Sequence, residues 1–347
     1  MMVIRTQKTS STRSILKGIA AALSCGLVLV ASHAQAQIRE HKVKLSFVTA
    51  ADTGALNGVD KFVELVKQKS GGKIEIKVFP NGTLGGDVQL ISSLQGGTID
   101  MSVMGTNALV GVVKEFGLLD FPFLLDNDKE ASSLIDGPVG KQMFDKLAAK
   151  GVVGMPISAF GFRHLHNSKR PINKADDVQG LKLRVIQSPV YVDLMGALGA
   201  NPVAMSFTEV YNAMEQKAID GMTNTALIAS SMKAYEVQKY MSLTAHMYNY
   251  IVLLVSGKSW DRFNADERAL ITQAATEAKE FQRKKIPEYT SQALAVLAKN
   301  GMVVNDVPPA ERAKLREKAK PVVDKYAGVV GEALVKEAHT ELAKLRK

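Results

Sequence analysis

The chain has 347 residues, 46% of them hydrophobic, a single cysteine and a net charge of +10. This length exceeds one ordinary domain and is enough for two lobes with cores of their own. One cysteine excludes a disulfide framework, and a mild positive charge with no basic run interleaved with aromatics excludes a nucleic-acid platform.

Arg5, Lys8, Arg13 and Lys17 open the chain with no acidic residue among them. An apolar stretch from about Gly18 to Ala31 follows, and Ala34-Gln35-Ala36 puts small residues where a signal peptidase reads. Residues 1–36 therefore read as a secretory signal cut after Ala36, with Gln37 as the mature N-terminus. At roughly 14 residues the apolar run is too short to span about 30 Å of hydrocarbon. Cys25 follows Ala22-Leu23-Ser24, a poor lipoprotein-processing signal, and the apolar run continues past it. Cleavage removes that cysteine and four positive charges, leaving +6, so the mature chain has no thiol chemistry and stands on its hydrophobic core. The expected compartment is the periplasm, where a modest positive field favours anionic solutes.

Along the mature chain, Val43, Leu45 and Phe47 alternate with polar residues and predict a strand. Val59, Phe62, Val63 and Val66 recur at helical spacing up to Gly71-Gly72. Ile74, Ile76 and Val78 predict a second strand that ends in the turn Pro80-Asn81-Gly82. Val88, Ile91 and Leu94 mark a short helix capped by Asp87, and Thr98 to Met104 reads as a third strand. A second α/β unit follows. It has strands over 151–159 and 181–186, helices over 191–198 and 207–216 (the latter capped by Ser206), and a short strand around 218–222. Asn264 with Glu267 opens the longest helical run, which extends to about Asn300 before Gly301, with Pro287 inside predicting a kink. About 35 helical residues reach roughly 50 Å, long enough for a strut across two lobes. Residues 308–347 read as a charged amphipathic helical tail with a solvated face.

Signals for enzymatic chemistry are poor. Ser230-Ser231-Met232-Lys233 fits S-x-x-K, but its K-T-G and S-D-N companions are absent. His164 and His166 lack further ligands at metal spacing, so no metal and no cofactor is expected. What stands out is Arg184, at the end of Leu181-Lys182-Leu183-Arg184-Val185-Ile186. Ligands of open α/β sheets sit beyond the carboxyl ends of strands, and a guanidinium fork matches a carboxylate there. A surface arginine or an internal ion pair fits the spacing as well, and Arg163 in Ala159-Phe160-Gly161-Phe162-Arg163 has the same ambiguity.

Phe79-Pro80-Asn81-Gly82-Thr83-Leu84-Gly85, Gly161-Phe162-Arg163, Leu181-Lys182-Leu183-Arg184-Val185, Ser206-Phe207-Thr208-Glu209-Val210-Tyr211, Ile219-Asp220-Gly221-Met222-Thr223-Asn224 and Thr244-Ala245-His246 occur in that order. Together they resemble the successive blocks of DctP-type solute receptors of tripartite ATP-independent periplasmic (TRAP) transporters. The resemblance implies an α/β, two-lobed periplasmic-binding-protein fold with the long kinked helix spanning both lobes. Lobe 1 would comprise 37–161 with about 250–286 returning to it, and lobe 2 would comprise 162–249 with about 287–347 contributing.

The resemblance also implies roles. Arg184 would pair with the solute carboxylate, Arg163 would be a second cationic contact, and Gln187 a further polar one. Phe207 would pack on the solute, Asn224 would hydrogen-bond its carboxylate end, and His246 would support the pocket, with Tyr248 as a further candidate. Asp52, Thr106 and Asn107 lie where relatives vary their specificity groups. Thr223 stands where many relatives carry Glu, which argues against amino-bearing solutes. The expected solute is a sugar acid, hydroxy acid or C4-dicarboxylate, with a lean to the first two from the neutral groups of Gln187, Asn224, Thr106, Asn107 and Tyr248. The expected protein is a non-catalytic monomer that delivers this small carboxylate to the small and large subunits of a sodium-coupled TRAP permease. The alternative is a periplasmic ligand sensor for a signalling receptor.

Overall fold

The structure is a computed structural model that describes residues 1–2, 38–50 and 56–346. The leader, its cleavage point, Cys25 and Asp52 lie outside the described residues.

The first half of the molecule is built from β1 (His41–Ser46), α1 (Asn57–Lys69), β2 (Ile74–Phe79), α2 (Asp87–Gly96) and β3 (Met101–Gly105). β1 pairs in parallel with both β2 and β3, so each return runs through a covering helix. Two helices, α3 (Asp128–Asp136) and α4 (Pro138–Ala148), complete this half. α2 begins differently from the expectation. Its cap is Gly86, whose backbone N–H donates to Gln89 Oε1 at 3.1 Å, and Asp87 is the first helical residue. Val88, read as part of the buried stripe, is 60% exposed.

The second half repeats the plan with β5 (Lys182–Val185), α5 (Pro189–Ala197), β6 (Asn201–Ala204), α6 (Val210–Glu215), β7 (Gly221–Asn224) and α7 (Ala226–Ser231). β5 pairs in parallel with β6 and β7. Two long strands join the halves: β4 (Val152–Asn167) and β8 (Tyr240–Ser256). They are antiparallel to each other, and each serves both half-sheets. β3 pairs with β8 over Ile251–Val255, while β7 pairs with β4 over His164–Asn167. The strand order is β2-β1-β3-β8-β4-β7-β5-β6, with β9 (Val303–Asp306) also on β8.

The β4–β8 ladder is irregular between the halves, with register shifts at Pro156/Ser158, Ala159/Gly161 and Arg163/Leu165. At the last shift, Arg163 faces Met247 and Leu165 faces Ser242, so Leu243–His246 bulge opposite a single β4 residue, with Ala245 at φ 46°. Bulges of this kind re-aim side chains. Arg163 and His246 both sit at this one.

After α8 (Gly257–Arg262), α9 (Ala265–Lys299) is the predicted long helix, 35 residues capped reciprocally by Asn264 and Glu267. It runs through Pro287 as one element and packs on α1 of one half, on α7 of the other and on β4 between them. The tail is two helices, α10 (Pro309–Val330) and α11 (Glu332–Leu345), separated by Gly331 at φ 114°. It is more than a solvated face. α10 packs on α5 and residues 114–120, α11 packs on α3 and α4, and Leu315, Val322, Leu334 and Leu342 are buried. The tail therefore serves both halves. No described helix is long and apolar enough to cross a membrane.

Candidate functional site

A small cavity of about 70 Å³ lies where the two half-sheets meet. Val48, Thr49, Asp87, Met104 and Asn107 reach it from the first half, and Arg184, Ile186, Phe207, Asn224 and Ile228 from the second. Phe160, Arg163, Asn249 and Ile251 come from the shared strands. It is mostly apolar with a few convergent polar groups, as small-molecule sites are.

Arg184 is on β5 between Leu183 and Val185, and pleat alternation sends it to the opposite face from these two. Its Nε and Nη2 donate to the Met205 carbonyl at 3.0 and 2.8 Å, and its guanidinium lies 5.8 Å from the Phe207 ring centroid. Nη1 has no hydrogen bond to a described residue. Burial, then the neighbouring Arg163 charge, pulls the Arg184 pKa down to about 9. It remains a cation at neutral pH, but an uncomfortable one that an anion would relieve.

Arg163 is 2% exposed and held more firmly. Nε donates to Thr223 Oγ1 at 3.2 Å, Nη1 to Asn249 Oδ1 at 3.2 Å and Nη2 to the Thr223 carbonyl. The guanidinium stands 5.3 Å from the Tyr191 centroid. Behind it, Thr223 Oγ1 is hydrogen-bonded to His246 Nε2 and Thr244 Oγ1 to His246 Nδ1, both at 2.7 Å. Both ring nitrogens are thus hydrogen-bonded to a threonine hydroxyl, one donating and one accepting in the neutral imidazole. His246 is neutral in that arrangement, in line with burial and the Arg163 charge holding its pKa well below the usual value.

Two buried carboxyls lie near this positive charge. Asp120 accepts from the Tyr191 hydroxyl at 3.4 Å, and burial pushes its pKa up to about 8 against the pull of Arg163. Asp87 lines the cavity with Oδ1 buried and unpartnered among the described residues. Burial raises it to about 6 against the pull of Arg184. Among the described residues neither arginine makes a hydrogen-bonded ion pair with either carboxyl.

Of the residues singled out from sequence, Arg163, Arg184, Phe207, Asn224 and Asn107 line the cavity. The Asn107 Nδ2 donates to Asn249 Oδ1 at 3.1 Å. Among the described residues the Asn224 Nδ2 meets only Met222 Sδ, at 4.0 Å, which leaves it available to a ligand. His246 is one layer back, reaching the cavity through Thr223 and Arg163. Thr106 is buried outside the lining. Gln187 and Tyr248 do not reach the cavity. Gln187 is exposed beyond the end of β5. Tyr248 alternates with the lining residues Asn249 and Ile251, so it faces the other side of the sheet, where its hydroxyl donates to Asp128 Oδ1 at 2.8 Å.

Asp87, Asn249 and Phe160 line the cavity without having been singled out. Asn249 had a readable signal, as a polar residue at the head of the apolar run 250–255.

Two α/β halves sharing a pair of crossing strands, with a cationic cavity at the crossing, define the two-lobed solute-binding class. Residues 45–328 match the family described as bacterial extracellular solute-binding protein, family 7 (DctP), and the chain belongs to this family, the solute receptors of TRAP transporters. Among solved structures, it is similar to the sugar acid binding protein DctPAm from Advenella mimigardefordensis in complex with galactonate. That match has 37% identity and a TM-score of 0.85, and covers 88% of this chain and 99% of that one. A TRAP periplasmic solute-binding protein from Ochrobactrum anthropi shares 42% identity with a TM-score of 0.79, covering 89% and 97%. The C4-dicarboxylate-binding protein DctB of Bacillus subtilis is 30% identical over 305 residues, covering 88% of this chain and 86% of that protein.

Proposed function

We propose that the cavity binds one small polyhydroxy or hydroxy monocarboxylic acid in the periplasm. Arg184 and Arg163 hold the carboxylate, and the chain hands the acid to a sodium-coupled TRAP permease without transforming it. The observation that carries this reading is Arg184. Among the described residues it is a buried cavity-lining guanidinium whose Nη1 makes no hydrogen bond and to which no carboxylate is bonded. A solute carboxylate supplies the missing anion, and closure of the lobes strengthens the pairing by excluding water.

Asp87 favours sugar and hydroxy acids over C4-dicarboxylates. Its unpartnered oxygen accepts a hydrogen bond from a solute hydroxyl, whereas a second carboxylate brought near it is repelled. Asn107, Asn224 and Asn249 add neutral partners for further hydroxyls. Related structures hold galactonate and D-erythronate, acids of this type, although another holds succinate.

A thermal-shift screen with galactonate, erythronate, succinate and neutral galactose tests the reading. Ligand at about 100 times its Kd stabilises by about 2.7 kcal/mol, enough to move the unfolding midpoint measurably. Shifts with the aldonates and none with galactose are expected. Equal shifts with galactose, or none with any acid, overturn the proposal.

A further inference from the structure

The rim of the cavity carries a contact between the halves that the site chemistry does not use. Residues 80–86, between β2 and α2, face Ser206-Phe207-Thr208 of the other half. A Cβ added to Gly86 would sit 3.1 Å from Ser206 Oγ, and one added to Gly82 would sit 2.7 Å from Thr208 Cγ2. Both distances are inside ordinary van der Waals separation. At Gly82 the backbone itself, at φ 64°, favours glycine. At Gly86 it does not, because φ −78° and ψ 170° suit any residue. Gly86 is also the helix cap, a position where serine or asparagine serves at least as well. Neither backbone nor capping asks for glycine at 86. What a side chain there meets is Ser206 across the cleft.

The contact abuts the solute site on both sides. Asp87, next to Gly86, lines the cavity, as does Phe207, next to Ser206. Met205, on the other side of Ser206, supplies the carbonyl that fixes Arg184. We infer that Gly86 against Ser206 is the stop at which the two lobes close, and that the absent side chain at 86 sets the spacing of Asp87 from Arg184 across the solute. Gly86 is thereby a positioning residue for binding. The inference rests on the reading of the cavity as an acid site.

Gly86→Ser and Gly86→Asn keep a good cap while adding bulk, so they test the stop with little cost to α2. Affinity for galactonate falls stepwise, about threefold and then tenfold or more, mainly through faster dissociation, while the ligand-free unfolding midpoint stays at the wild-type value. Ser206→Gly in the Gly86→Asn chain restores affinity to within about threefold of wild type, since the two sites couple only if they touch. Wild-type affinity in Gly86→Asn overturns the inference, and so does a loss that Ser206→Gly leaves in place. A ligand-free arm separates this from the acid reading. Gly86→Cys with Ser206→Cys, in a chain also carrying Cys25→Ser, cross-links under mild oxidant if the lobes meet there. Absence of the cross-link both without and with saturating galactonate sinks the stop even where acids bind. A cross-link in a protein that binds no acid supports the stop and sinks the acid reading.

Discussion

Replacing Arg184 separates charge from geometry. In the fold its Nε and Nη2 are both committed to the Met205 carbonyl, and one edge remains for the solute. Lysine keeps the charge but has no planar fork, so it can satisfy Met205 or the solute carboxylate and cannot align both. Alanine leaves the solute carboxylate buried without its partner. Truncating one side of a buried, hydrogen-bonded charge pair costs about 2–5 kcal/mol, which is roughly 30-fold to several-thousand-fold in Kd. The ligand-free fold loses little, because the mutation also removes a desolvated cation that Arg163 repels. Calorimetric titration with the best acid from the screen, alongside thermal unfolding of the free variants, reads both effects. If Arg184→Lys binds within about threefold of wild type, a gap under about 1 kcal/mol, the carboxylate clamp is wrong.

Asp87→Asn relieves a buried unpartnered carboxylate, so ligand-free stability holds or rises. Galactonate affinity falls about tenfold while succinate binding is spared, and equal losses for both acids in titration contradict the hydroxyl role. His246→Ala strips two buried threonine hydroxyls of their partner and loosens Thr223 beneath Arg163. A loss of about 1–3 kcal/mol per group is expected in denaturant unfolding, with weaker binding, and an unchanged midpoint and affinity refute the support role. Burial holds His164 down to about 3 and His166 to about 4, both below the ordinary 6.5. Their imidazoles are neutral in the fold and charge more readily in the unfolded chain. Stability from them is therefore complete above about pH 6.5 and lost as pH falls toward 4. Unfolding midpoints across that window should drop for wild type and drop less for His166→Asn; identical curves refute the assignment.

Local signals carried much of the fold. The alternation of Ile74, Ile76 and Val78 and the Asn264–Glu267 cap are decided by neighbours in the chain, so they are readable there. The shared strands are not. β4 and β8 read as short apolar runs, over 151–159 and 250–255, because Arg163, His164, His166, His246 and Asn249 interrupt the hydrophobic pattern. Those interruptions are the site and its support, so the residues that line the cavity hid the strands that place them. Tyr248 illustrates the same reason, since without the strand its face is undefined. Asp87 carries no site signal in the sequence because a helix start gives an aspartate an ordinary role. Only the fold shows Gly86 as the cap and turns the next side chain toward Arg184.

In the proposed function, two buried arginines at the junction of the lobes hold a small organic acid. The most direct test of this reading is calorimetric titration of galactonate into the wild-type chain and into the Arg163→Ala, Arg184→Ala double variant at pH 7.5. Saturable one-to-one binding by the wild type is expected, and at least about a hundredfold weaker binding by a double variant that still unfolds cooperatively. Undiminished binding by the folded double variant would contradict this reading.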